Sequence, residues 1–350
     1  MRKPCGTFDE NYGQSMAVLR TRFQWVMLIL FLVLLFMLPQ FTSPFVLSLV
    51  SSIGFVTIGA LGLNILTGYC GQISLGHAAF IAVGGEIAAI LMFRLGWSWW
   101  ATLPFAIIGT MLIGAIFGLP SLRLKGFYLA MSTLAAHFII YWVLLNWVAV
   151  TGGIDGFHVA APKLGGVVFD TEKEFFYLIM AFTVVMVFLA KNLIRGRLGR
   201  AFIAIRDNDI AAQFMGIDIF RYKVIAFMVA AAFAAVAGSL RVAYWGYATC
   251  EQLVFMDNIW YIGYIIIGGL GSITGTIFGV AFLELLRYGV MLAGPMIGAA
   301  FPAIAGPVVS ALMMTVFGLV IILFLVFEPR GLYHRWDIIK SSFRLWPFTY

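Results

Sequence analysis

Apolar residues in this chain do not alternate with polar ones. They run together in blocks of roughly twenty, separated by short polar or glycine-rich breaks. Blocks near 24–39, 45–64, 77–93, 100–120, 128–148, 175–193, 223–243, 258–270, 274–293 and 303–327 have no polar face. A helix that is apolar all round belongs in a membrane or a large core, and about 20 apolar residues cross a bilayer. The pattern predicts an all-α, polytopic integral membrane protein with about ten transmembrane helices. Residues 1–23 read as an N-terminal arm, 24–327 as the membrane domain and 328–350 as a tail.

Three breaks depart from plain apolar helix. The first, TGYCGQISLGHAAF (67–80), places Gly71, Gln72, Ser74, Gly76 and His77 between two apolar blocks. It reads either as a tight turn with His77 at a helix start, or as a broken helix lining a pathway. The second, IIGGLGSITGTIFG (266–279), spaces Gly271, Gly275 and Gly279 four apart, which lets helix backbones approach closely. It shares a sparse Gly/Ser-Thr/Phe pattern with 71–84, a hint of duplication. The third, TGGIDGF (151–157), holds Gly152, Gly153 and Asp155 in a turn with an exposed carboxylate, open to contact by another protein.

Charge decides orientation. The 350 residues carry a net +7, with 11% charged residues, and mean hydropathy is +1.01. Taking the N-terminus as cytoplasmic puts Arg2, Lys3, Arg20, Arg22, Arg123, Lys125, the basic run 191–223 and the tail on the inner side. Only Arg94, Lys163 and Lys173 then face outward. This bias is the positive-inside signal, so the positive charge marks topology and not nucleic-acid binding. Both termini are then cytoplasmic, and 149–174 is the main outer loop. Trp97, Trp99, Trp100, Tyr244, Trp245 and Tyr247 fall at outer boundaries, where aromatic rings prefer the headgroup layer. The first span follows Arg20 and Arg22 and lacks a small-residue cleavage site, so a retained signal anchor is expected.

Ionisable residues within spans are functional candidates because their burial is costly. Glu284 and Arg287, three apart, can pair on one helix. Glu86 and Arg241 have no evident sequence partner. Cys5, Cys70 and Cys250 are too scattered for a metal site or a disulfide framework. No G-x-x-x-x-G-K-[ST] loop, H-E-x-x-H pair or G-x-S-x-G elbow occurs, so no catalytic residues, metal or cofactor are expected in this chain.

The stretch GRAFIAIRDNDIAAQFMGI (199–217) lies in the long inner connection 194–222. Asp207, Asn208 and Asp209 suit a helix start, Ile210–Met215 a short helix and Gly216 its terminator. Ala211 and Ala212 leave a low surface that another protein can approach. D-I-A-A-Q-F-M-G resembles the coupling loop of permeases of ATP-binding-cassette importers, with Asp209 in the acidic position and Ala211, Ala212 and Gly216 in the core. NILTGYCGQISLGHAAF, GFYLAMSTLA, TGGIDGF, IIIGGLGSITG and FEPRGL extend that resemblance to the branched-chain amino-acid permeases of the LivM type. Glu86 and His137 depart from the family's pattern.

The resemblance implies a transport subunit of the bacterial inner membrane. Its partners would be a second related permease, two cytoplasmic ATPase subunits that use ATP and magnesium, and a periplasmic substrate-binding protein. Arg206, Asp207, Asp209, Ala211, Ala212 and Gly216 would then form the ATPase-coupling loop. Gly71, Gln72, Ser74, Gly76, His77 and Glu86 are the candidates for the pathway. The expected solute is a branched-chain or hydrophobic amino acid. Urea or short amides, and a stand-alone ion- or proton-coupled secondary transporter, remain open.

Overall fold

The computed structural model describes residues 22–119, 124, 126–164, 167–249, 255–300 and 305–345. Most of the N-terminal arm, Arg123, Lys125, Cys5 and Cys250 lie outside the described residues. Helices account for almost all of the described chain, because a segment surrounded by lipid has to satisfy its own backbone polar groups.

The first half comprises α1 (Arg22–Phe41), α2 (Pro44–Leu63), α3 (His77–Leu95), α4 (Trp99–Gly118), α5 (Phe127–Asn146) and a short α6 (Val148–Thr151). The second contains α7 (Glu172–Arg195), α8 (Arg197–Asp207), α9 (Asp209–Phe214), α10 (Ile219–Trp245), α11 (Phe255–Gly268), α12 (Ile273–Ala300), α13 (Ala305–Phe327) and α14 (Leu332–Leu345). A π-helical turn, Asn64–Tyr69, prolongs α2.

Eight helices, or nine if the bent pair Ala311–Phe327 and Leu332–Ser342 is one span, are long and apolar enough to cross a membrane. Among the described residues the count is thus eight or nine, beside an expectation of about ten. The difference lies at 258–270, where α11 has only 14 residues, short of the ~20 that span a bilayer. It stops at the Gly268–Gly269 turn, which returns the chain directly into α12, and the two helices pack together.

Small residues organise the centre. α10 packs against α3, α4 and α2, and 72% of its most apolar stretch is buried, against 6% for the peripheral α1. A Cβ added at Gly84 would lie 2.3 Å from the Ala235 Cα, and one at Gly238 would lie 2.0 Å from the Ile81 carbonyl oxygen. Helices in lipid gain no hydrophobic drive from meeting each other, so such close approach supplies the dispersion contacts that hold them. Gly275 and Gly279 of α12 do the same against Gly268 and Tyr264.

Gly271 does not belong to that helical series. It lies in the turn before α12 with φ +74°, a left-handed conformation that excludes most other residues.

At one end of the bundle the loop after α6 is pinned down. β1 (Phe157–His158) pairs antiparallel with β4 (Tyr247–Ala248) just past α10, while β2 (Lys163–Leu164) pairs with β3 (Val167–Val168). These short ladders satisfy backbone groups that no helix covers. The Arg94 guanidinium donates to the Ala149 carbonyl and the Tyr247 hydroxyl to that of Asp155. At the opposite end lie α8, α9, α14 and both glycine-rich breaks.

Gly238→Ala tests the central seam. Overpacking of this kind costs about 1–3 kcal/mol, so the variant should unfold at lower denaturant than the parent chain in detergent. An unchanged midpoint would show that the seam has slack.

Candidate functional site

The end carrying α8 and α9 is rich in polar side chains, and three segments meet there. Asn64 lies at the start of the π-helical turn and is fully buried. Its amide nitrogen donates to the Ser272 carbonyl at 3.0 Å and to the Thr276 hydroxyl at 2.7 Å. Its amide oxygen accepts from the Gly271 backbone at 2.9 Å. One side chain thus satisfies the turn before α12 and ties it to the end of α2. A π-turn adds one residue to the helix repeat and is frequent at functional sites.

Arg206, near the end of α8, is the third component. Its Nη1 donates to the Gly68 carbonyl at 3.0 Å, and Nη2 pairs with Asp207 at 2.9 Å. The same side chain lies against Gly71, and a Cβ on Gly271 would come within 3.0 Å of its Nη1. A charge-assisted bond from arginine to a carbonyl is stronger than a neutral one. It ties α8 to the first glycine break and sets its guanidinium beside the turn of the second.

Arg197–Asp207 is helical, not loop. Ala201, Phe202 and Ile205 turn inward, and Phe202 is wholly buried with its edge toward Tyr222. Asn208 then ends α8 and caps α9, its side-chain oxygen accepting from the Ala211 amide at 3.0 Å. Asp209 opens the six-residue helix as expected, with its acidic charge at the N-terminal end. Gly216 follows with φ +83°. Asp218 caps α10 through the Arg221 amide at 3.1 Å.

The surface of α9 differs from expectation at one residue. Ala211 is exposed, but Ala212 is only 3% exposed and packs into the core. Its small size lets α9 lie close to the body and does not contribute to the outer surface. The exposed relief comes from Ile210, Phe214 and Met215, with Phe214 88% and Met215 84% exposed. Beside them a groove of about 500 Å³ runs past Asp209, Gln213, Asp218 and Lys223.

The pathway candidates separate into two groups. Gly71 and Gln72 border a cleft of about 390 Å³ shared with Arg206, Asp207, Asp209 and Lys223. Ser74, Gly76 and His77 pack inside the protein. His77 Nε2 donates to the Gly59 carbonyl at 2.8 Å, and the Leu75 amide donates to the Thr133 hydroxyl at 2.9 Å. These contacts satisfy the irregular backbone without water.

Glu86 lies more than two helical turns along α3 from His77. It is 4% exposed, and its Oε2 has no hydrogen-bond partner among the described residues. The Glu284–Arg287 pair forms at 3.6 Å, and the Tyr264 hydroxyl also donates to Glu284. The Arg241 guanidinium sits 4.7 Å over the Trp245 ring. Cys70 is buried, and burial pushes its thiol up to about 12. Gly152, Gly153 and Asp155 lie at the far end, where the two glycines have positive φ and the Asp155 side chain is exposed.

Asn64, Asn258 and Thr133 were not singled out in the sequence. Asn258 Oδ1 accepts from the Ala78 amide at 2.8 Å, and its Nδ2 meets His137 Nδ1 at 3.2 Å. An asparagine inside an apolar block is itself a signal, since polar side chains at membrane depth need a partner.

A family model described as "Branched-chain amino acid transport system / permease component" matches residues 45–325, which include both glycine breaks and α8–α9. The High-affinity branched-chain amino acid transport system permease protein LivM of Salmonella typhimurium is 34% identical over 251 residues, covering 65% of this chain. The protein of the same name from Escherichia coli K12 matches to the same extent. The chain spans 59% of the length of those two relatives. A probable branched-chain amino acid transport permease protein LivM of Methanocaldococcus jannaschii is 26% identical over 336 residues, covering 83% of this chain and 94% of that one.

Asn64→Ala leaves the Gly271 amide without its acceptor. The expected loss of stability is about 1–3 kcal/mol, read as a lower unfolding midpoint in detergent. Parent-like stability would mean that water or another side chain replaces Asn64.

Proposed function

This chain belongs to the branched-chain amino acid transport system permease family, and from that membership we propose that it is the membrane subunit of an ATP-driven importer of branched-chain or other hydrophobic amino acids. In this reading it works in the bacterial inner membrane with a second related permease and two cytoplasmic ATPase subunits. A periplasmic binding protein delivers the solute to the end that carries Gly152, Gly153 and Asp155. ATP and magnesium act in the ATPase subunits, and this chain performs no catalysis.

The observation that carries the proposal is the construction of α9. A short helix capped by Asn208 exposes Ile210, Phe214 and Met215, while Ala212 seats it on the body. Apolar side chains exposed at a membrane protein's polar end suit a protein partner. Movement of α9 by an ATPase is conveyed to α8, whose Arg206 holds the Gly68 carbonyl at 3.0 Å. Asn64 joins that point to the turn before α12. The coupling stroke therefore reaches the ends of α2 and α12 together, at the two glycine breaks.

The choice of solute rests largely with the binding protein, so urea or short amides are the second reading within the class. A stand-alone transporter has one supporting observation, the buried Glu86 with its unpartnered oxygen. That reading expects gradient-driven transport by the purified chain in liposomes without ATP.

Leucine uptake in cells tests the coupling role. Gly216→Arg and Ala211→Glu should abolish most uptake at normal protein abundance. Arg206→Ala should lower uptake by roughly tenfold, since a charged hydrogen bond contributes about 1.5–3 kcal/mol, while binding-protein-stimulated ATP hydrolysis in the reconstituted complex continues. Full uptake in all three variants would remove α9 as the docking element.

A further inference from the structure

FEPRGL (327–332) is one of the stretches that carry the family resemblance, yet the route from α9 through Arg206 does not use it. Its first residue ends α13, and Pro329 cannot continue that helix because it has no amide hydrogen. The chain bends by 47° between Ala311–Phe327 and Leu332–Ser342. Two contacts close the bend. The Glu328 carbonyl accepts from the Gly331 amide at 2.8 Å, and the Glu328 carboxylate accepts from the Arg335 guanidinium. The Glu328 side chain is only 20% exposed, so water screens this pair incompletely.

The closed bend rests on the second glycine break. Gly331 has φ +72°, and a Cβ there would lie 2.6 Å from the Gly269 nitrogen and 2.8 Å from the Ile267 carbonyl oxygen. A Cβ on Gly269 would lie 3.0 Å from the Arg330 carbonyl oxygen, and one on Gly275 would lie 3.0 Å from that of Tyr333. Backbone therefore meets backbone with no side chain between. Further along, Trp336 sets its ring edge-on to Phe278 of α12, with centroids 5.7 Å apart.

The break depends on such contacts. Gly269 and Gly271 have φ +113° and +74°, and glycine loses more conformational freedom on folding than any other residue. A turn so rich in glycine has little shape of its own, and its neighbours set its position. Asn64 holds it at Gly271 and Ser272, with the Arg206 guanidinium beside Gly271. FEPRGL meets it at Gly269. A turn held at one end deforms when α8 moves, whereas one held at both ends passes the displacement to α12.

We propose that FEPRGL is a clamp on the second glycine break. Gly331 and the Glu328–Arg335 pair are its positioning residues, and they make a stroke arriving through α8 move α12 and α14 as one body. This role in transmission rests on the coupling function proposed for α9. The hold on the turn does not.

Hydrogen exchange of the chain alone in detergent reads that hold directly. Gly269, Gly271 and Gly275 each donate an amide hydrogen bond. Gly331→Ala should speed exchange over 268–276 roughly tenfold and Arg335→Gln roughly threefold, with the α3–α10 seam unchanged. The swapped pair Glu328→Arg with Arg335→Glu should restore the parent rate. In proteoliposomes holding the assembled complex, the two single variants should lower leucine moved per ATP hydrolysed by similar factors while ATP hydrolysis continues. A tail that only stabilised the fold would lower transport and hydrolysis together. Parent-like exchange over 268–276 in both single variants overturns the clamp. Faster exchange with an unchanged leucine-to-ATP ratio overturns its positioning role. A parent complex that moves no leucine counts against the importer reading, and the exchange result then decides the clamp by itself.

Discussion

Much of this structure depends on satisfying backbone amides and carbonyls where a membrane helix stops being α-helical. In lipid an unpaired backbone group costs several kcal/mol, so an irregular segment survives only where side chains supply its partners. Asn64 and Arg206 do this for both glycine breaks at once. Asn64 serves Gly271 and Ser272, and Arg206 serves Gly68. Because the partners come from distant parts of the chain, the breaks are fixed to each other and to α8.

The rest of the bundle provides a stiff surround for that junction. Gly84, Gly238, Gly275 and Gly279 bring helices together at distances that leave no room for a side chain. Close-packed interiors deform little and transmit strain. A displacement of α8 therefore acts on the junction without being absorbed by the helices around it. The pinned loop at the other end, held by the β1–β4 ladder, gives a second fixed surface.

The two ends differ in chemistry as well as position. One presents an exposed carboxylate, Asp155, in a turn held by a ladder and a tyrosine bond. The other presents apolar side chains on a short capped helix and clefts edged with charge. The proposed delivery of solute at one end and of force at the other fits this asymmetry.

Span periodicity, the split of charge between loops and the motif order were enough to identify an all-α membrane permease of the branched-chain amino-acid family. The capped helix at Asn208 and the Glu284–Arg287 pair were likewise legible, because both are local patterns of three or four residues. Local pattern did not show that α11 falls short of a span, since an apolar run looks the same whether it continues or turns at Gly268. Nor did it show that Ala212 faces inward while its neighbour Ala211 faces out. Gly271 looked like a member of a helical glycine series, and only the turn around it revealed a left-handed residue facing Arg206. The junction of residues 64, 206 and 271 was not visible at all. Its members are more than sixty positions apart, and a contact made by tertiary packing leaves no periodic trace in the chain that forms it.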